Sequence, residues 1–165
     1  DETVSLALWN GKTASICLSV HPSHPLTVTS YEGTMQDLHH SSLGKAMLAE
    51  LAPDEVAQII GEELHRFTPN TITNLTSLIN HLMVVRKEGV AIDDEEGFQG
   101  GRGVAAVITT NERVLLGAIT LLGPTIRLTR EKTAAYIPVV KATALQISRA
   151  LSGYQRNRSP RPEPF

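Results

Sequence analysis

Two runs of alternating residues, separated by an Asn-Gly pair, most constrain how the start of this chain can fold. Apolar residues occupy every second position of residues 4–8 and 16–20, with small or polar residues between them. A period of two predicts strands that bury one face. Asn10-Gly11 suits the positive φ angles of a tight hairpin turn. The chain is therefore predicted to open on a β-hairpin.

Further strands are predicted from apolar runs that end at turn residues. Leu26–Ser30 follows a Pro-containing loop and is predicted as a third strand. Val104–Ile108 and Val114–Leu122 are predicted to form a second hairpin about Asn111-Glu112.

Helical spacing of apolar residues predicts four helices between and after these strands. The first begins at Ser41 or Ser42, and the second begins at Pro53. The third spans Leu75–Val85 and stops at Gly89, and the fourth spans Thr129–Leu151. Pro138 in the last helix is expected to kink it or to mark its true start. Strands followed by helices, a hairpin and a long helix predict an α+β domain on an antiparallel sheet.

Composition excludes several function classes. A chain of 165 residues with 41% apolar and 19% charged residues has the size and composition of one compact globular domain. Its net charge is −2 and its Lys and Arg residues are scattered, so this segment is not expected to bind DNA. No window reaches the roughly 18 apolar residues of a membrane span, and no signal peptide opens the chain.

Cys17 is the only cysteine, which excludes an internal disulfide. Its apolar surroundings predict a small buried side chain, and a lone thiol fits a protein of the reducing cytoplasm. The chain opens directly on the strand pattern without an initiator Met, which is expected of a fragment cut at a domain boundary.

Three segments carry residue types that can bind small molecules. His39–Lys45 joins a loop to a helix start, where hydroxyls and free backbone N–H groups can hold a carboxylate or Ser41 can simply cap the helix. Asp93–Glu96 is acidic, but successive residues point different ways, so surface charges or backbone caps are the expected roles. Gly100–Gly103 lacks the ending of a phosphate loop and precedes a strand, so a bulge or a close approach of a ligand is expected. Arg102 can pair with an anion or with the nearby acids.

No arrangement of residues indicates a metal site, a cofactor or catalysis. His21 and His24 have no carboxylate at ligand spacing, and the adjacent His39 and His40 cannot share one face of an element. No nucleophile elbow or zinc-hydrolase helix is present. We therefore predict no metal, no cofactor and no enzyme.

Several segments, in order, resemble the effector-binding domain of IclR-family transcriptional regulators. The similarity extends from about Glu2 to Leu151. It is carried by Leu38–Ala49, Phe67–Thr73, Val85–Glu96, Gly100–Ala106 and Gly123–Thr129.

The resemblance implies a GAF-like (profilin-like) fold, a curved antiparallel sheet of about six strands flanked by helices. Residues 1–152 would form the effector-binding domain, and residues 153–165, with three prolines, are predicted to be a disordered tail. It also implies a winged helix-turn-helix domain upstream, through which alone DNA would be bound, and a homodimer or homotetramer. Function would be ligand-controlled repression or activation, with a small organic acid, including an aromatic acid, as the effector.

The family's pocket is implied at the helix start, on the acidic run, after the glycines and on the hairpin strand. The matching positions are Ser41, Ser42, Leu43, Gly44, Asp93, Gly101, Arg102, Gly103, Thr120 and Leu122, together with the loop positions Val28, Met35 and Gln36. Thr120 and Leu122 are two apart and share a face. Members that bind very small oxoacids often carry Cys at position 103 and Ser at positions 120 and 122. Gly103 and Leu122 therefore favour a larger, more apolar acid.

Two other functions fit parts of the sequence. A stand-alone GAF-like module attached to a different signalling output would share the fold but not the upstream DNA-binding domain. An enzyme that uses Asp93 or the histidines would turn over its bound acid.

Overall fold

The computed structural model describes residues 2–156, which form four helices and one sheet of six strands. In chain order the elements are β1 (Thr3–Trp9), β2 (Ala14–Val20), β3 (Met35–Gln36), α1 (Ser42–Leu48), α2 (Pro53–Ile60), α3 (Leu75–Glu88), β4 (Ala91–Asp94), β5 (Gly101–Thr109), β6 (Leu115–Pro124) and α4 (Arg130–Arg156). No helix within this range has both the length and the apolar character needed to cross a bilayer.

The strands lie in the order β3-β2-β1-β6-β5-β4, and every neighbouring pair is antiparallel. The predicted α+β class and number of strands are confirmed, as are both hairpins. The strand predicted at Leu26–Ser30 is wrong: this segment is irregular, and the edge strand is instead Met35–Gln36. The sequence analysis missed β4, because its acidic residues are depleted in strands generally.

The two faces of the sheet carry different residues because strand positions alternate between them. The inner face is built at its centre from small residues such as Ala7, Ala105 and Ala118, and α1 packs against it. The outer face carries larger residues such as Val104 and Ile108, and α4 packs against β5 and β6 there. Small inner residues bring α1 close to the sheet.

The first hairpin differs from its prediction in which residues it buries. Ile16 is buried on the inner face, but Leu18 and Val20 are 53% and 60% exposed. They lie on the outer face of β2, at a distance from the strands that α4 covers. Cys17 is exposed, contrary to its prediction, because the pairing of β1 with β2 shifts beside it and leaves it as the extra residue of a bulge.

Helix ends follow the predicted signals. The Ser41 hydroxyl accepts a hydrogen bond from the Gly44 amide at 3.0 Å and caps α1. Gly89 ends α3 in the left-handed conformation, with φ 67°. Pro138 lies within α4 and does not mark its start. Helix α4 continues to Arg156, so it includes the first residues of the predicted tail. Residues 157–165, the rest of that tail, lie outside the described residues.

Candidate functional site

A cavity of about 280 Å³ lies on the inner face of the sheet, and we call it the central cavity. It is enclosed by β5 and β6, the start of α1, the loop before β3 and the loop between β4 and β5. Its lining residues are Val28, Thr29, Ser30, Tyr31, Thr34, Gln36, Asp37, His40, Ser41, Ser42, Leu43, Phe67, Asp93, Gly97, Phe98, Arg102, Gly103, Thr120 and Leu122.

Two buried hydroxyls and a missing side chain form the floor of this cavity. The Ser42 and Thr120 hydroxyls lie 2.9 Å apart, and Thr120 also donates to the Val104 carbonyl at 3.1 Å. Gly103 lies beside them on β5, where a Cβ would be 2.8 Å from Ser42 Oγ and 3.5 Å from Thr120 Oγ1. A side chain here would therefore displace the Ser42 hydroxyl. Its absent side chain leaves room in front of two hydrogen-bonding groups.

A carboxyl and an imidazole form one wall. Asp93 Oδ1 accepts a hydrogen bond from the Glu96 amide at 2.8 Å, and burial raises the pKa of Asp93. Burial lowers the pKa of His40, an effect that the nearby Asp37 opposes. Within the described part of the chain, His40 Nδ1 is buried without a hydrogen-bond partner. Both shifts favour the neutral forms, so Asp93 and His40 can offer neutral donors and acceptors to a ligand.

A fully buried lysine positions this wall. Lys45 of α1 donates from Nζ to the Ile92 carbonyl at 2.6 Å and pairs with the Glu96 carboxylate. Burial raises the pKa of Glu96, and the charge of Lys45 opposes that rise. The acidic run is therefore partly internal, whereas surface charges or caps were expected. Asp93 does cap the backbone, as predicted.

The loop Glu95–Gly97 is held from its other side by threonine hydroxyls. Thr68 donates to the Glu95 carbonyl at 2.6 Å, and Thr71 donates to the Glu96 carbonyl at 2.7 Å. The cavity wall formed by Asp93 and Gly97 is consequently braced by α1 and by the segment before α3. Such bracing keeps a binding site preorganised.

The only arginine on the lining does not offer its charge to the cavity. Arg102 Nε donates to Asp94 at 2.7 Å, and its Nη1 donates to the Leu128 carbonyl at 2.6 Å. Asp94 lies opposite Arg102 on the outer face, next to α4. Of the two roles predicted for Arg102, the structure shows the pairing with a nearby acid.

Most of the site residues predicted from the sequence meet around the central cavity. Its lining includes Val28, Gln36, Ser41, Ser42, Leu43, Asp93, Arg102, Gly103, Thr120 and Leu122. Met35, Gly44 and Gly101 are outside it. Met35 accepts a hydrogen bond from Ser15 and is 54% exposed. Gly44 packs on the backbone of Leu38, where a Cβ would be 2.2 Å from the carbonyl oxygen.

The sequence analysis missed the aromatic part of the lining. Tyr31, Phe67 and Phe98 come from three separate loops. His40 packs against Phe67 with the ring centroids 4.3 Å apart and the ring planes inclined at 55°. Aromatic residues in loops follow no periodic pattern that would predict their burial in a site. Their low number, 4% of the chain, was the only signal in the sequence that could have singled them out. The neighbouring His39 is buried, and its Nε2 donates a hydrogen bond to the His65 carbonyl at 3.0 Å.

Comparison with known proteins assigns the chain to a family. A model described as the C-terminal part of the bacterial transcriptional regulator IclR matches residues 1–149. The chain belongs to the IclR family. This family consists of transcriptional regulators and not of enzymes, and the matched region is the effector-binding domain.

The relatives with curated descriptions include HTH-type transcriptional repressors. The chain is 32% identical over 151 residues to the HTH-type transcriptional repressor AllR of Escherichia coli, and equally to that of Salmonella typhimurium. Each match covers 91% of this chain and 56% of the relative. The chain therefore spans about half the length of these relatives.

Solved structures of IclR-type regulators share the fold. The IclR protein of Thermotoga maritima is 32% identical, with a TM-score of 0.84 over 92% of this chain and 62% of its own. The C-terminal domain of Escherichia coli KdgR is 28% identical, with a TM-score of 0.78 over 92% of this chain and 88% of its own. These similarities confirm the GAF-like architecture predicted from the sequence.

Proposed function

We propose that this domain binds a small organic acid with an apolar, aromatic-sized body, and that binding changes how the full-length protein engages its promoter DNA. A winged helix-turn-helix domain that precedes residue 1 would supply the DNA contacts, in a homodimer or homotetramer in the cytoplasm. The name and length of the curated relatives, HTH-type repressors of which this chain covers 56%, support that organisation.

The observation that carries the ligand class is the space left by Gly103 in front of the Ser42–Thr120 hydroxyl pair. Leu122 lies directly opposite Gly103 on β6 and adds an apolar surface. Phe67 and His40 add two rings, packed against each other, to the lining of the cavity. A ligand that fills this space buries carbon against carbon, worth about 25 cal/mol per Å² of apolar surface.

The acid group is proposed to be recognised by hydrogen bonds without an ion pair. The lining within residues 2–152 contains no lysine, and Arg102 is committed to Asp94 and Leu128. Thr120 donates its proton to the Val104 carbonyl, so Ser42 is the hydroxyl that can turn its proton towards a carboxylate. Burial raises the pKa of Asp93, and in its protonated form this carboxyl can donate a hydrogen bond to the ligand without like-charge repulsion.

A ligand is expected to act by binding one arrangement of the full-length protein better than the other. The domain's contribution is differential affinity, and the DNA-binding domains would report it as a change in promoter occupancy.

Isothermal titration of the domain with benzoate, benzamide and glyoxylate tests the ligand class. We expect benzoate to bind more tightly than glyoxylate, because only benzoate fills the space at Gly103, and more tightly than benzamide, because only benzoate accepts several hydrogen bonds at one oxygen pair. A preference for glyoxylate over benzoate would contradict the apolar body, and a preference for benzamide would contradict the acid.

A further inference from the structure

A second depression opens beside the central cavity, and we call it the outer groove. It measures about 560 Å³ and is lined by Leu26, Thr27, Val28, Thr29, Phe98, Gln99, Gly100, Pro124, Thr125 and Ile126. Val28, Thr29 and Phe98 also line the central cavity. The two spaces are therefore neighbours that share one wall.

The outer groove is mainly apolar, and its polar side chains, threonines and a glutamine, are uncharged. Leu26, Phe98 and Ile126 are 57%, 50% and 74% exposed, although each is a large hydrophobic side chain. Its lining contains no ionisable side chain. Single exposed hydrophobic residues are common, but several around one concavity mark a binding surface. The chemistry of this groove suits a hydrocarbon group.

In the shared wall, the Phe98 ring lies over Gly101, a residue without a side chain. A Cβ at Gly101 would lie 2.2 Å from Phe98 Cζ, so the first residue of β5 must lack a side chain for the ring to rest there. Gly101 does not have the positive φ that would by itself call for glycine. The glycine is thus explained by the ring, and the ring is held at the boundary between the two spaces.

We propose that the outer groove is a second subsite, which takes the apolar end of an elongated effector whose carboxyl lies in the central cavity, and that Phe98 determines how far the ligand extends. This inference rests on the proposed function, because it assumes an acid in the central cavity. The central cavity alone lies just below the usual size range of sites for drug-sized ligands, roughly 300–1,000 Å³, and the two spaces together fall within it.

The test is a series of phenyl acids of increasing length: benzoate, 3-phenylpropanoate and 5-phenylpentanoate, each titrated calorimetrically into the domain. A buried methylene is worth about a fourfold gain in affinity. We expect 5-phenylpentanoate to bind at least about tenfold more tightly than benzoate, which allows for incomplete burial of its chain.

Two variants test whether the gain in affinity with chain length arises in the outer groove. Ile126→Ser should lower the ratio of the 5-phenylpentanoate and benzoate affinities by about threefold or more, because it replaces the most exposed wall of the groove with a polar group. Phe98→Trp should also lower this ratio, because a larger ring takes up more of the boundary between the two spaces. Val114→Ser is the matched control: Val114 is 54% exposed at the opposite end of the sheet, and its replacement should change neither affinity.

The outcomes separate this inference from the proposed function. If benzoate binds and longer acids bind no more tightly, the second subsite is wrong and the central site stands. If the gain with length survives both Ile126→Ser and Phe98→Trp, the apolar end lies elsewhere and the groove serves another occupant, such as a protein segment. If none of the three acids binds, the acid effector itself is wrong and the second subsite falls with it.

Discussion

The hydroxyls of Ser42 and Thr120, 78 positions apart in the chain, lie 2.9 Å from each other and join the start of α1 to the centre of the sheet. Both side chains are buried, at 5% and 2% exposed. The bond therefore has two roles, since it fastens the helix and also presents oxygen atoms to the central cavity.

Replacing Thr120 with Val tests both roles. Val matches the shape of Thr, so the change removes the hydroxyl without leaving a cavity. We expect the free energy of unfolding to fall by about 1–3 kcal/mol, because Ser42 loses its buried partner, and benzoate affinity to fall as well. Urea denaturation and calorimetric titration measure the two effects. Thr76→Val on the exposed side of α3 should stay within about 0.5 kcal/mol of the unmodified protein.

Gly103→Ala is expected to shrink the central cavity at the place proposed for the ligand body. The new Cβ would force the Ser42 hydroxyl to rotate away from Thr120. We expect a roughly tenfold loss of benzoate affinity, equivalent to about 1.4 kcal/mol of binding free energy, because the methyl group occupies space that the ring would fill. Glyoxylate affinity should fall less, because a small ligand does not need the space. Equal losses for the two ligands would mean that Gly103 does not set ligand size.

Lys45→Met should be among the most destabilising single changes in the domain. It leaves the Glu96 carboxylate buried without its cation, which typically costs about 3–5 kcal/mol. A Lys45→Met, Glu96→Met double variant should recover much of that loss, because it removes both charges. Lys87→Met, at an exposed position of α3, provides the control for the loss of a lysine. Chemical denaturation curves of the four proteins measure the effect.

Acidification should destabilise the domain through its buried histidines. Burial lowers the pKa of His81 and of His40 below the ordinary 6.5, so the unfolded chain binds protons that the folded chain does not. This stability is present above the unfolded pKa and is lost as pH falls from about 6.5 through the folded pKa. His81→Gln should flatten the loss between pH 7 and pH 5, whereas His24→Gln, at an exposed position, should not. Thermal unfolding at a series of pH values measures it, and an unchanged slope in His81→Gln would contradict this origin.

Benzoate affinity should fall as pH rises through the folded pKa of Asp93. Burial raises that pKa, and only the protonated carboxyl can donate a hydrogen bond to a carboxylate. Asp93→Asn carries a permanent donor at the same place, so its benzoate affinity should depend less on pH. Titrations above pH 5 compare the two proteins. A pH dependence that persists in Asp93→Asn would place the responsible group elsewhere, with His40 the next residue to replace.

Local signals in the sequence were sufficient for most of the secondary structure. Gly11, the Ser41 cap and Gly89 each act through the backbone of their own neighbourhood, and the structure confirms all three. Asn10 does not take the positive φ expected of it, and the turn runs from Asn10 to Thr13. The predictions failed where the burial of a side chain depends on residues that are distant in the sequence. The buried role of Glu96 depends on Lys45, which lies 51 positions earlier. The exposure of Cys17 depends on how β2 pairs with β1.

The lining of the central cavity was predictable where the family resemblance supplied its positions, as at Ser42, Asp93 and Gly103. It was not predictable where the lining comes from irregular loops. Tyr31, Phe67 and Phe98 reach the cavity through loop conformations that no periodic pattern encodes. Met35 was predicted to line the pocket and does not, because its pairing with Ser15 in the edge strand turns it away from the cavity.

Successive side chains of β5 point to opposite faces of the sheet, so neighbouring positions on this strand have different roles. Gly103 and Ala105 face the central cavity or α1, whereas Val104 and Ala106 face α4. Under the proposed function, a mutation at position 103 would therefore change what the domain recognises and leave the packing of α4 on the sheet intact. The sheet would then tolerate a change of ligand without a change of architecture.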